Sequence, residues 1–353
     1  MKISIIGTAG IPAQYGGFET LAENLVKNSG NRIEYTVFCS TRLYPEKPEK
    51  YLNANLRFVK LSPNGISSIF YDLICMLLSL RSNIMLVLGV SGSLFLPFIR
   101  FLYQGKIITN VDGIEWKRNK WNKMARLILR LSEKSAIKFS HAIIADNQGI
   151  VDYITGNYKQ KTKLIEYGGD HVVVIKNISC KKYHAITVCR IEPENNIHII
   201  LKAFSEQREL FFAVVGNWKS SKYGIKLYKE YSNFSHIHLL DPIYEPEKIN
   251  DIRSNAFIYI HGHSAGGTNP SLVEAMYLGF PVLAFDCVYN RYTTENKSLY
   301  WSNADELYAH IVHSNKSELD VIGRNMKEIA KRRHNWKKIV AEYEVLYAKV
   351  SKN

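Results

Sequence analysis

The chain reads as an α/β protein of two domains, and three observations predict this. Its 353 residues exceed what one hydrophobic core usually serves. Short apolar runs of strand character alternate with helical periodicities along most of its length. The stretch 256–285 shows the repeating unit most clearly: an apolar run, a glycine turn, an amphipathic helix and a second apolar run.

Taken in order, Lys2-Ile-Ser-Ile-Ile is a first buried strand. No charged leader or cleavage site is visible around it, and a secretory signal is not expected. Gly7-Thr-Ala-Gly-Ile-Pro-Ala-Gln-Tyr-Gly-Gly-Phe-Glu19 is a glycine-rich link, followed by a helix from about Glu19 to Asn28. Such a link after the first strand is where α/β folds hold ligands. It lacks G-x-G-x-x-G, and the second strand, Glu34 to Phe38, runs into Cys39 and Ser40 rather than an acid that would hold a ribose. A nicotinamide enzyme is disfavoured.

Residues 66–104 are unusually apolar, but Asp72, Arg81 and Arg100 interrupt them before any run reaches a membrane-spanning length. A core helix and a core strand are expected, with partial insertion at a membrane face as the alternative. A strand from Gly105 leads to the polar loop Asp112-Gly-Ile-Glu-Trp-Lys-Arg118. Asp112 and Glu115 are either acids acting on a substrate hydroxyl or a capping Asp and a surface Glu. Trp121 to Phe139 reads as a basic amphipathic helix, which either rests on anionic lipid or presents a solvated face. A strand at 141–147 follows, the segment 163–170 closes the first half, and 172–182 reads as the crossing.

The second half opens with Ala185-Ile-Thr-Val-Cys-Arg-Ile-Glu-Pro-Glu-Asn-Asn196, a strand and polar turn, then a helix Ile197 to Phe204. Arg190, at the strand's C-terminal edge, can neutralise a phosphate or make a structural salt bridge. Strands at 210–216 and 236–240 follow, with Trp218 and Lys219 as candidate cleft residues. His261 and His263 suggest a metal only superficially, because no third ligand is placed nearby.

Asn269 then stands before Pro270 as a helix cap, Leu272, Ala275 and Met276 share a buried face, and Gly279 supplies the stop. Unpaired N–H groups at this helix start, with Gly266 and Gly267 permitting close approach, suit an anion. Glu274 leans back towards the same end and can accept two hydrogen bonds from a ribose. The pattern fits a nucleoside-diphosphate cradle; an ordinary turn with a solvated Glu is the alternative.

Net charge is +14, and residues 100–138 hold ten Lys or Arg against three acids. That surplus suits an anionic surface. Zinc-finger, helix-turn-helix and aromatic RNA-binding signatures are absent from the sequence, so lipid is expected and nucleic acid is not. Cys39, Cys75, Cys180, Cys189 and Cys287 are scattered without paired spacing, as thiols in a reducing compartment would be. The tail from Asn335 to Val350 is a helix.

Together, Gly7 to Thr20, Asp112 to Arg118, Arg190 to Asn195 and Gly266 to Glu274 resemble the bacterial glycosyltransferases of family 4 over nearly the whole chain. The likeness is to the rhamnosyltransferase-like group of capsule, O-antigen and exopolysaccharide synthesis. It implies a GT-B fold, two Rossmann-like domains facing across a cleft. An acceptor-binding domain would span 1–175, a nucleotide-sugar domain 176–335, and a helix at 336–353 would pack back on the first domain.

The implied reaction is metal-independent, retaining transfer of a sugar, rhamnose from dTDP-rhamnose or a UDP-linked donor, to a polyprenyl-diphosphate-linked saccharide. No cofactor is implied, and the placement is cytoplasmic, on the inner face of the plasma membrane. Arg190, Glu274 and Asp112 would carry the chemistry. The donor would be held by Gly16 and Gly17, by Arg190, Asn195 and His263, and by Gly266, Gly267, Thr268, Asn269, Ser271 and Glu274. Tyr15, Phe18, Glu19, Asp112 and Glu115 would hold the acceptor. Two positions depart from the family pattern: Gly266 stands where a first glutamate is usual, and Asn195 where a lysine is. Two other functions fit the chain, a nucleotide-sugar epimerase of the same fold and a non-enzymatic basic membrane adaptor.

Overall fold

The computed structural model describes residues 1–14, 16–118, 121–159, 162–172 and 181–352. The chain forms two compact units, Met1–Tyr167 with Trp336–Asn353, and Gly168–Asn335. Tyr15, Cys180 and most of the expected crossing at 172–182 lie outside the described residues.

The first unit holds β1 (Lys2–Ile6), β2 (Glu34–Ser40), β3 (Lys50–Tyr51), β4 (Ala54–Val59), β5 (Ile84–Leu88), β6 (Lys106–Asn110), β7 (Ala142–Ala145) and β8 (Thr162–Leu164). They form one sheet in the order β3-β4-β2-β1-β5-β6-β7-β8. All neighbours are parallel except β3 and β4. A parallel sheet is covered by helices on both faces, which is why β5 is an unbroken apolar run with every residue buried. The C-terminal helix Trp336–Lys352 packs on the helix Gly17–Asn28. Glu344 there accepts the Gly30 N–H at 2.9 Å, and the Trp336 ring meets Tyr167 edge-on at 4.9 Å.

The basic helix begins at Lys123 rather than Trp121, because Asn122 caps it by accepting the Ala125 N–H. The apolar stretch 66–104 divides differently from a simple core. β5 is core, but the helices Ser67–Leu78 and Leu96–Leu102 bury only one side. Phe70, Leu78, Phe98 and Phe101 stay exposed, the last at 88 %. Met124 and Leu127 of the adjoining helix Lys123–Phe139 are exposed as well. Among the described residues no helix is long and apolar enough to cross a membrane.

The second unit holds β9 (Tyr183–Val188), β10 (Phe212–Val215), β11 (Ile237–Leu240), β12 (Ala256–His261), β13 (Val282–Phe285) and β14 (Leu299–Trp301). Their order, β11-β10-β9-β12-β13-β14, is the doubly wound Rossmann order, and every pairing is parallel. One apolar layer gathers Phe204, Phe212, Trp218 and Trp301. The other gathers Ile186, Tyr259, Leu272, Met276 and Met326. The helix Pro270–Leu278 spans its expected length, capped by Asn269 and stopped at Gly279 with φ 82°.

Candidate functional site

In the second unit the strand order reverses between β9 and β12, the place where open α/β sheets leave a crevice at their C-terminal ends. The segments leaving those two strands, 189–196 and 262–269, are stitched together. A Cβ on Gly262 would lie 2.1 Å from the Asn195 carbonyl oxygen, so only glycine permits the approach. Asn196 donates to the Gly262 carbonyl at 2.9 Å. The Glu194 carbonyl accepts both the N–H and the hydroxyl of Ser264, each at 2.9 Å. Asn290 holds the His263 carbonyl from a third segment at 2.9 Å.

On this frame the chain makes its amide-rich tip. Gly266 and Gly267 sit at φ 67° and 75°, a region other residues rarely adopt. Asn269 accepts the N–H and the hydroxyl of Ser271, at 3.0 and 2.8 Å. Thr268 beside it is buried. Asn195, expected as a phosphate ligand, is a buried brace instead: its amide donates to the Arg190 carbonyl at 2.7 Å, and its oxygen meets His263 Nδ1 at 2.9 Å. The Arg190 side chain is half exposed, with its guanidinium 3.8 Å from Glu192.

Glu274 stands one turn into the helix. Its Oε2 pairs with Arg253 at 2.5 Å and its Oε1 with His171 at 3.2 Å. Burial pushes the carboxyl upward in pKa, but the charge of Arg253 and the bond from His171 outweigh it and hold the group at about 2. Glu274 is thus ionised throughout the ordinary pH range. Each carboxylate oxygen retains a second lone pair for a hydroxyl donor. Arg253 is itself 5 % exposed. Neither partner was singled out from sequence. Arg253 ends the helix Pro246–Ser254 without a motif, and the only hint for His171 was its place after Gly168-Gly-Asp.

Of two other side chains, Trp218 departs from the cleft place expected of it, and His261 takes a buried one. Trp218 is core, 1 % exposed with its indole N–H on the Leu240 carbonyl, and does not line a crevice. His261 ends β12 buried, and burial draws its pKa down to about 3, leaving it neutral. Among the described residues no three His, Cys, Asp or Glu gather to hold a metal ion.

The first unit repeats the glycine device where its order reverses, between β1 and β5. A Cβ on Gly7 would lie 2.0 Å from the Leu88 carbonyl oxygen. Glu19 turns inward, accepting the Ala9 N–H at 2.6 Å and the Thr8 hydroxyl at 3.1 Å, and burial raises its pKa. Gly16 takes φ 109° just before the helix, the Gly17 carbonyl accepts the Tyr167 hydroxyl, and Phe18 lies against Gly89. After β6, Asp112 adopts φ 57° and donates its N–H to Asn110 at 3.1 Å. Glu115 accepts the Trp121 indole N–H at 3.0 Å and lies 2.9 Å from Arg118. The structure therefore gathers Arg190, Asn195, His263, Gly266 to Asn269, Ser271 and Glu274 at one switch point. Gly16 to Glu19 and Asp112 to Glu115 follow two strands of the other sheet.

Residues 1–170 match the family described as Domain of unknown function (DUF1972), and residues 173–312 match Glycosyl transferases group 1. No sequence among curated proteins matches the chain. Its structure is similar to sucrose-phosphate synthase from Thermosynechococcus elongatus, with TM-score 0.81, 15 % identity, and coverage of 99 % of this chain and 98 % of that one. It is also similar to Anabaena HepE in complex with UDP, with TM-score 0.75, 15 % identity, and 99 % and 100 % coverage. A third likeness is to the catalytic domain of starch synthase IV from Arabidopsis thaliana bound to ADP and acarbose, with TM-score 0.69, 11 % identity, and 100 % and 99 % coverage. The fold they share with this chain is GT-B: two Rossmann-like α/β units, each a sheet flanked by helices.

Proposed function

We propose that this protein is a glycosyltransferase that moves a sugar from a nucleoside diphosphate to a lipid-linked saccharide, with retention at the anomeric carbon. The observation that carries the reading is Glu274, an acid held ionised by Arg253 and His171 one turn inside a helix whose lead-in carries two left-handed glycines. In the proposed complex the diphosphate lies over Gly266 to Ser271 and the ribose hydroxyls donate to Glu274. Arg190 and the helix start stabilise the charge that grows on the diphosphate as the glycosidic bond breaks. The acceptor hydroxyl attacks from the same face, and its proton passes to a phosphate oxygen of the leaving group. The group 1 match over 173–312, and the likeness to HepE solved with UDP-glucose, support this use of the second unit.

The finer reading is a deoxysugar donor such as dTDP-rhamnose, because Gly266 offers backbone where a carboxylate would grip a sugar hydroxyl. For the acceptor we assign the first unit. Its candidate acids are Glu19, which follows β1, and Asp112 and Glu115, which follow β6. A lipid-linked acceptor is supported by exposed Phe98, Phe101, Met124 and Leu127 on adjoining helices that also carry Arg100, Lys123, Arg126 and Arg130. Apolar side chains beside cations suit peripheral attachment to an anionic bilayer. The test is incubation with dTDP- and UDP-sugars, with and without a polyprenyl-diphosphate-linked saccharide. Acceptor-dependent release of nucleoside diphosphate supports the transferase. Acceptor-free isomerisation of the sugar would make it an epimerase, and failure to bind any nucleotide would make it an adaptor.

A further inference from the structure

We infer that His263 is carried as the doubly protonated imidazolium, a fixed positive charge built into the segment that leads to the Gly266–Gly267 tip. The inference rests on the donor-site reading above and names a residue that supports it from behind. The argument is one of hydrogen-bond direction. The Asn195 amide nitrogen lies 2.7 Å from the Arg190 carbonyl, which can only accept, so the side-chain oxygen of Asn195 must be the atom facing His263. That oxygen is 2.9 Å from Nδ1, which therefore has to donate. The other ring nitrogen, Nε2, lies 3.1 Å from the Ala265 carbonyl, again an acceptor only. A neutral imidazole has one N–H and would set a lone pair against one of these oxygens. The charged ring satisfies both.

Placement gives the charge a use. His263 is 5 % exposed, its ring held by the contacts to Asn195 and Ala265 and its backbone carbonyl by Asn290. The titratable groups on the packed segments leave the role to it. Arg190 is half exposed beside Glu192, and Glu194 follows on the same turn. His261, whose ring centre is 6.2 Å away, is neutral through burial. Cys287 donates its thiol to the His263 carbonyl, and burial keeps that thiol protonated. A buried cation on this segment strengthens the hold on a diphosphate and on the charge that develops as it leaves, without touching the sugar. His263 is on this account a positioning residue for charge.

The experiment uses the full chain labelled with 15N-histidine, the His263 resonances being assigned by loss in His263→Gln. At pH 7, without nucleotide, both ring nitrogens should appear as N–H. Calorimetry with dTDP and UDP should show affinity falling as pH rises through the loss of the ring proton. In His263→Gln, affinity should be about tenfold to a hundredfold weaker and flat across that interval. The double variant His263→Gln with Asn195→Lys, if folded by thermal unfolding, should regain part of the loss by returning a cation. A bare ring nitrogen at pH 7 overturns the inference, as does unchanged affinity in folded His263→Gln. If neither diphosphate binds the wild type while the imidazolium signature is present, it is the donor-site reading that falls.

Discussion

Arg253→Met isolates what keeps Glu274 usable. The salt bridge is short, 2.5 Å, and the arginine is almost wholly buried. Burial acts on Glu274 in the opposite sense and by itself would raise the carboxyl above its ordinary 4.5, yet the group is held at about 2. That displacement corresponds to about 3 kcal/mol favouring the ionised form in the fold. The sign follows from linkage: this stability is present above 4.5 and is lost as pH falls from there through 2. Without Arg253, burial is opposed only by His171, and the carboxyl should titrate within the assay range. Thermal and denaturant unfolding should show a loss of about 3–5 kcal/mol, since one member of a buried pair is stranded. Glu274→Gln in the same chain should recover part of it. The functional assay is donor KM from pH 5 to 8. Wild type should show no dependence attributable to this acid, whereas folded Arg253→Met should bind donor best at the alkaline end and poorly at pH 5. A folded Arg253→Met with wild-type KM at every pH would refute the reasoning, because the pair would then be structural and remote from the ribose.

Three further outcomes are expected. Asp72, which accepts the Ser91 hydroxyl and the Gly92 N–H, is pushed by burial to about 7. Its raised pKa makes the native state the better proton binder, so stability should fall by about 4 kcal/mol between pH 4 and 7, and Asp72→Asn should flatten that slope in urea titrations. Gly262→Ala drives a Cβ to 2.1 Å from the Asn195 carbonyl; denaturation should reveal a loss of about 3 kcal/mol, and calorimetry a collapse of nucleotide affinity, because the two switch-point segments must part. Phe101→Ser with Leu127→Ser alters side chains 88 % and 55 % exposed. Stability should change by less than about 0.5 kcal/mol, while binding to anionic vesicles in flotation assays should fall about tenfold or more. Undiminished flotation would place the membrane contact elsewhere.

The elements that announced themselves in the sequence are those fixed by local chemistry. The helix Pro270–Leu278 combined a cap, a first-turn proline, a buried stripe and a stop glycine, each acting within a few residues, and all four act as the pattern required. Alternating apolar runs likewise revealed strands, because a doubly covered parallel strand has no polar face to obscure it. Hydropathy could not say which side of the helices Ser67–Leu78 and Leu96–Leu102 meets the sheet. A helix apolar all round looks the same whether its far side is covered or bare, and here residues such as Phe70 and Phe101 are bare.

Partners at long separation were the illegible part of the site. Arg253 and His171 reach Glu274 from 21 and 103 residues away, through a sheet order that no local window contains. Asn195 shows the cost of reading a residue alone. As a neutral amide in place of a cation it looked like a weakened phosphate ligand, whereas folding turns both ends of its side chain inward, onto Arg190 and His263. The amide thereby sets the direction of the next hydrogen bond, and that direction obliges His263 Nδ1 to donate. A neutral amide where a cation is usual thus fixes which atom of a neighbouring ring must donate. The electrostatic character of this switch point belongs to the network of Arg190, Asn195 and His263, and no member of it can be assigned from its own side chain.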